Sequence, residues 1–330
     1  AELALRLAPL GARVTVECER TAVTFTLVAP AEHGLAAPEL LLDAVLRRPP
    51  GDAGVERARA ELLEVFALAD GSPAEEARAA LDRAYYGAYS RWARPPCGVP
   101  ATVATLPPTA ARRLAATRFV PGRAAAAIAG PVPAEAARAL LRRALEDPEL
   151  PILLPRPNPP PPREWIRVER ETVTTWVGFA YPLPERPDSE ALRFLAFLPA
   201  RAAAPGPARP ELYDVGVEIE RHGGGGTLVV RLVTDPDAAE RWAERLDALV
   251  RRLAADGPDP AEFEEARRAY RGERLLALDT PEARAREAAR QLFFDGSYEP
   301  PDAAAAALTP ARVRAAAATL GRPARAVLGP

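Results

Sequence analysis

VERARAELLEVFALADGSPAEEARAALDRAYYG, residues 55–87, decides the fold because the chain contains it twice. Displaced by 208 positions, it meets FEEARRAYRGERLLALDTPEARAREAARQLFFD, residues 263–295, without a gap. Glu56, Ala58, Arg59, Pro73, Ala77, Arg78 and Ala80 fall on identical residues, Ser72 on Thr280, and Tyr85–Tyr86 on Phe293–Phe294. Two further blocks repeat in the same order. LDAVLRR (42–48) echoes LDALVRR (246–252), and LPPTAARRLAATRFVPGRAAAAIAG (106–130) echoes LTPARVRAAAATLGRPARAVLG (308–329). Two Ala/Arg-rich helices match by chance; three blocks in one order do not. The period is too long for a solenoid of short units. The reading is therefore α+β, two homologous domains, each a β-sheet with helices packed on one face.

Working outward, the spacing of apolar residues predicts strands at 13–18 and 21–28 and helices near 37–48, 53–69, 73–87 and 109–117. A strand at 124–128 and a helix over 134–145 follow. Beyond residue 165 come strands at 167–181, 213–220 and 227–234, then four or five helices, and a last strand at 324–328. Between them lies LPILLPRPNPPPPREW, residues 150–165, with seven prolines that fix φ and remove backbone donors. It reads as a linker, giving domains 1–149 and 166–330. Ser72-Pro73 and Thr280-Pro281 read as helix starts, a side-chain oxygen taking an orphan N–H and proline needing no partner.

The 330 residues carry 45 acidic and 43 basic side chains, a net charge near −2, which gives no broad basic face for nucleic acid. Every cation is Arg; Lys and Met are absent, Asn158 and Gln291 stand alone of their kinds, and there are 38 prolines. That pattern fits a thermophile, and a GC-rich codon bias yields much of it too. No apolar run reaches the roughly 18 to 20 residues of a membrane span, and no signal peptide opens the chain, so a soluble, cytoplasmic protein is expected. The opening AELALRLAPLGA reads as the middle of a helix, as if a longer gene product preceded it. Cys18 and Cys97 make neither a disulfide framework nor a metal knuckle and are expected as buried small hydrophobes.

Chemistry is scarce. His33, in APAEHGLAAP, and His222, in RHGGGG, are the two histidines, and neither has a second ligand at i+4. Both read as surface residues in turns. The glycine run lacks the Lys and Ser/Thr of a phosphate loop and reads as a hairpin turn. G-x-S-x-G is absent, and carboxylate pairs such as Glu61 with Glu64 and Glu264 with Glu265 alternate with Arg at helical spacing, as solvated faces do. By residue chemistry alone the chain lacks a self-contained active site.

The runs GARVTVECERTAVTFTLVAP, LLLDAVLRRP, VERARAELLEVFALADGSP, WVGFAYPLPERPDSEAL and PAEFEEARRAYRGERLLALDTPEARA resemble, in this order, the pitrilysin/insulinase zinc peptidases. The likeness is greatest to the half-size members: processing-peptidase subunits, their bacterial relatives, and the non-catalytic core proteins of the ubiquinol–cytochrome c reductase. The resemblance implies an inverted zinc motif, H-x-x-E-H, on a helix just before the point where this chain begins, and residues 1–330 contain no such motif. It also implies a third ligand and a supporting glutamate seven residues earlier. Aligned on D-x-[ST]-P, those positions fall on Val65 and Ala58, which have no oxygen to offer. Glu64 is adjacent, but one step on a helix turns a side chain by about 100°. Partner-type subunits of the family carry R-x6-Y for substrate; here PELYDVGVE places Tyr213 on the tyrosine, with Arg201 and Arg209 the nearest arginines. The resemblance thus implies a non-catalytic subunit, itself without cofactor, that closes a peptide chamber and helps bind peptide substrate while a zinc-bearing homologous partner hydrolyses it. A structural or assembly protein of the core-protein type, and a peptidase whose zinc helix lies outside these residues, stay open as alternatives.

Overall fold

The computed structural model describes residues 2–69, 71–146, 164–222 and 225–330. Along the chain run α1 (Glu2–Leu7), β1 (Arg13–Cys18), β2 (Val23–Val28), α2 (Ala36–Arg47), α3 (Asp52–Ala69), α4 (Pro73–Tyr86), α5 (Pro100–Thr105), α6 (Pro108–Arg118) and α7 (Ala134–Leu145). The second half carries β3 (Trp165–Glu169), β4 (Thr175–Leu183), α8 (Ser189–Ala202), β5 (Leu212–His222), β6 (Gly225–Thr234), α9 (Ala239–Ala255) and α10 (Pro260–Ala277). It ends with α11 (Pro281–Asp295), α12 (Pro301–Ala306), α13 (Pro310–Ala318) and β7 (Ala324–Gly329). The fold is α+β with two sheets. Most of the proline-rich stretch expected as a linker lies outside the described residues.

The chain divides into two compact units that are discontinuous in sequence. One gathers Ala1–Leu68, Pro96–Leu154 and Leu276–Glu299; the other gathers Ala69–Pro95, Pro155–Leu275 and Pro300–Pro330. Residues 69–95, grouped by sequence order with 1–149, thus pack with the second half, and α11 packs with the first.

In the first unit β1 and β2 form a two-stranded antiparallel hairpin, Arg13 opposite Val28 through Cys18 opposite Val23. Its core is thin: Leu7, Ala37, Leu41, Ala137 and Leu140 are the buried apolar side chains of its α1, α2 and α7. On one face of the hairpin Phe25 meets Phe119 edge-on at 6.0 Å. Residues 124–128, expected as a strand, form none. Their AAAAI run supplies little side chain to hold a ladder in register.

The second unit is built on a five-stranded sheet, order β3-β7-β4-β6-β5, antiparallel except for the β3/β7 pair. The strand expected at 167–181 is two strands, β3 and β4, in different places of this sheet. β4 and β6 are buried on both faces, which is why GTLVVRLVT places apolar residues at consecutive positions, Leu228–Val230 and Leu232–Val233, instead of alternating. One face sends Val177, Phe179, Tyr181, Leu228, Val230 and Leu232 into the main core under α8, α9 and α13. α9 buries Ala239, Trp242, Ala243, Leu246, Val250 and Leu253, a spacing that makes one apolar stripe, and leaves its arginines outside. Burying a single leucine or phenylalanine in such a core contributes about 1.5–3 kcal/mol. The opposite face is covered by α4, whose Ala80, Leu81, Ala84 and Tyr85 lie with Ala180, Val229, Ala324 and Ala326. Small residues on the strands let the helix come close: a Cβ on Gly178 would stand 3.0 Å from Leu81 Cδ2.

The two helix starts differ. Thr280 Oγ1 accepts from Ala283 N at 3.1 Å, as expected, whereas the Ser72 side chain makes no cap and the α4 start relies on Pro73 and the backbone. Both cysteines are exposed rather than buried. Cys18 ends strand β1 of the hairpin and Cys97 sits in the irregular segment before α5. Among the described residues no helix is long and apolar enough to cross a membrane.

Candidate functional site

The start of β5 concentrates the polar side chains that the sequence singled out. The turn before it closes through Arg209 N to Gly206 O at 2.8 Å, and Leu212 N donates to Arg209 O at 3.1 Å. β5 then pairs with β6, Leu212 opposite Thr234 and Asp214 opposite Val233. Tyr213 is therefore the extra residue of a β-bulge. A bulge re-aims one side chain without ending the strand. Leu212 stays buried at 3% exposure while Tyr213, its neighbour, is 54% exposed. The tyrosine hydroxyl donates to Asp235 Oδ1 at 2.7 Å, and that hydrogen bond, with the carboxylate charge behind it, raises the phenol pKa above its ordinary value.

Around it lies a charged rim. Glu211 accepts from the Trp242 indole N–H and from Arg241, each at 3.2 Å. Its own backbone N–H first, then these two donors, hold its carboxyl below the usual range. Arg209 donates to Ala204 O at 2.8 Å and places its guanidinium 5.9 Å from the Trp242 ring centre, with Arg245 at 5.0 Å. Tyr213 and Arg209 are thus brought to the same end of β5. Arg201 is not part of that rim; it ends α8 and pairs with Glu265 at 2.6 Å. The arrangement places guanidinium donors and a tyrosine ring at the same end of β5, chemistry suited to carbonyl and carboxylate oxygens. It holds no nucleophile paired with a base.

The other family positions fall on α3. Ala58 and Val65 are two turns apart and so on one side of the helix, and both are exposed, Val65 by 56%. Glu64 is exposed as well. Among the described residues no three His, Cys, Asp or Glu side chains are grouped to hold a metal ion. His33 stands in the turn Ala31–His33 beside Glu32, at 3.9 Å. His222 is not the surface residue expected from its turn. It is half-buried, its ring 5.0 Å from Trp92 and 5.8 Å from Tyr86, because residues 86–92 fill the space beside the end of β5. Two glycines of the run after it, Gly225 and Gly226, are needed for close approach: Gly225 has φ +138° and a Cβ there would meet Leu183 O at 2.5 Å, while one on Gly226 would stand closer still to Glu220 O. Burial, then the nearby Cys97 and Glu19, push the Cys18 thiol up, the opposite of an activated nucleophile.

This architecture is shared with solved structures. The peptidase M16 inactive domain from Pseudomonas fluorescens superposes with a TM-score of 0.75 at 16% identity, over 99% of this chain and 83% of that one. The fold is that of an M16 peptidase domain. A protease from Helicobacter pylori gives 0.76 at 14% identity, over 100% and 85% of the two chains. The periplasmic protease PqqL from Escherichia coli gives 0.66 at 13%, with this chain spanning 38% of its length. No protein-family model matches the sequence, and no curated protein matches it by sequence. At these identities the likeness is one of fold, and the M16 peptidases are the pitrilysin family that the sequence blocks resemble.

The bulge at Tyr213 is the feature of this candidate site that sequence reasoning missed. LYDVGVEIE shows an apolar and polar alternation, and the one-residue slip appears only when β5 is laid against β6.

Proposed function

We propose that this chain is a non-catalytic subunit of a two-component zinc metallopeptidase, closing one side of the peptide chamber while a homologous zinc-bearing subunit performs hydrolysis. One observation carries the reading: an M16 peptidase fold along the whole chain in which Val65 stands where the resemblance places a zinc ligand. Val65 offers no lone pair, so metal and general base come from the partner. The bulge that turns Tyr213 outward, with Arg209 beside it, supports a part in holding peptide substrate. A second reading, a scaffold of the same fold without proteolysis, is favoured by the partners these groups already have: Asp235 for Tyr213, the Ala204 carbonyl for Arg209 and Glu265 for Arg201.

The test uses the complete gene product, zinc analysis and an internally quenched peptide. Alone it is expected to carry no stoichiometric zinc and to cleave nothing; mixed with an H-x-x-E-H-bearing homologue from the same genome, it should raise cleavage at least tenfold. Stoichiometric zinc with activity in isolation overturns the proposal. Binding to that homologue with no change in cleavage establishes the scaffold instead.

A further inference from the structure

Resting on the reading that this end of β5 faces peptide substrate, we propose that Arg209 and Arg245 form a guanidinium clamp on the Trp242 ring and that the clamp takes a carboxylate of that peptide.

Most donors near the start of β5 are already taken. The Tyr213 hydroxyl is committed to Asp235 at 2.7 Å, and Arg241 to Glu211 at 3.2 Å. Of the other three arginines on α9, Arg251 pairs with Asp247 at 2.9 Å and Arg252 lies 3.9 Å from Glu262. Arg245 is the exception. Among the described residues no carboxylate or carbonyl takes its guanidinium, which lies over the Trp242 ring at 5.0 Å from its centre. A guanidinium has five N–H donors, and Arg209 uses one of them, on Ala204 O at 2.8 Å. Two cations with donors to offer therefore meet on one indole, and neither has a carboxylate of its own.

Both cations are held in place before a ligand arrives. Trp242 is 3% exposed and is fixed by its N–H to Glu211 at 3.2 Å. Arg245 follows it by three positions on α9, so the two share one side of the helix. Arg209 comes from the turn before β5, closed by its own N–H to Gly206 O, and lies 5.9 Å from the same ring centre. Stacking on an indole restricts a guanidinium and removes part of its hydration, so less is lost when its parallel N–H groups close on a carboxylate. Two like charges on one ring also repel each other, and an anion shared between them relieves that repulsion. Glu211 does not fill this role, because the indole N–H and Arg241 already hold it.

The experiment titrates the complete gene product with three peptides of one otherwise uncharged sequence, each carrying an uncharged N-terminal dye, and follows fluorescence anisotropy. The first has an amidated C-terminus and an internal Gln; the second replaces that Gln with Glu; the third keeps the Gln and frees the C-terminal carboxylate. The second, the third or both should bind at least about fivefold more tightly than the first, and which of them gains distinguishes a side-chain from a terminal carboxylate. Arg245→Gln, at an exposed position where the fold tolerates it, should abolish that gain and leave affinity for the first peptide unchanged. Arg251→Gln removes an arginine of the same helix that already has a partner, and should leave the gain intact. Three equal affinities overturn the proposal, as does a gain that survives Arg245→Gln or that Arg251→Gln removes equally. A chain that binds none of the peptides overturns the clamp and the substrate-holding part of Tyr213 together. Enhanced cleavage by the zinc-bearing homologue with no preference for a carboxylate overturns the clamp alone and leaves the subunit reading standing.

Discussion

Leu81→Ala puts a number on the docking of α4. Leu81 is 2% exposed, and its side chain sits where a Cβ on Gly178 would stand 3.0–3.6 Å away, so the truncation opens space directly between helix and sheet. Buried leucine to alanine costs about 2–5 kcal/mol, more where the site cannot collapse. β4 is hydrogen-bonded to β6 on one side and β7 on the other, which holds the floor in place. The neighbouring Ala80, Ala84 and Ala326 have no reach to refill it. A value near the middle of the range, about 3 kcal/mol, follows. The assay is urea unfolding followed by tryptophan emission, because all four tryptophans, Trp92, Trp165, Trp176 and Trp242, belong to the unit that α4 completes. With an m-value of about 3 kcal/mol/M the midpoint should fall by about 1 M. Leu68→Ala, at a side chain 88% exposed on α3, is the control and should leave it unchanged. A midpoint shift for Leu81→Ala no larger than that of Leu68→Ala refutes the buried interface.

Thr280→Ala should destabilise α11 by about 1 kcal/mol and Ser72→Ala should cost α4 almost nothing, since only Thr280 caps with its side chain; hydrogen exchange of the two helices measures both. Tyr213→Phe removes the bond to Asp235 at an exposed site, so stability should move by less than about 0.5 kcal/mol. If Tyr213 holds substrate, kcat/KM of the zinc-bearing pair falls about tenfold in that variant; unchanged kinetics assign the bulge a structural role. Asp188 caps α8 through Ala191 N and meets Arg312 at 2.9 and 3.0 Å. Burial works to raise its pKa, but Arg312 and the backbone donors outweigh it and leave the carboxyl below its ordinary 3.8. The stabilisation it gives is therefore complete above about pH 4 and is lost as pH falls through the depressed value. Asp188→Asn should flatten that acid limb in a pH series of urea midpoints.

The α+β class and the helix pattern were legible because they are properties of local spacing. What α4 covers was not. Ala77, Ala80, Leu81, Ala84 and Tyr85 announce an apolar stripe, and a stripe carries no address; either sheet would satisfy it. The same limit applies to Cys18, whose small apolar side chain reads as core but lies at the exposed end of the two-stranded hairpin. Ser72 and Thr280 are equivalent in sequence and differ in the structure by one side-chain hydrogen bond, which spacing alone does not determine. His222 reads as a turn residue because its packing partners, Tyr86 and Trp92, lie 130 or more positions earlier in the chain.

The glycine at 178 and the leucine at 81 are separated by nearly a hundred residues of sequence, yet neither is free to change without the other. Chimeras between this chain and a distant relative will therefore fail when the junction is placed at the proline-rich stretch, which looks like the natural seam. They should succeed when residues 69–95 travel with the second half and 276–299 with the first.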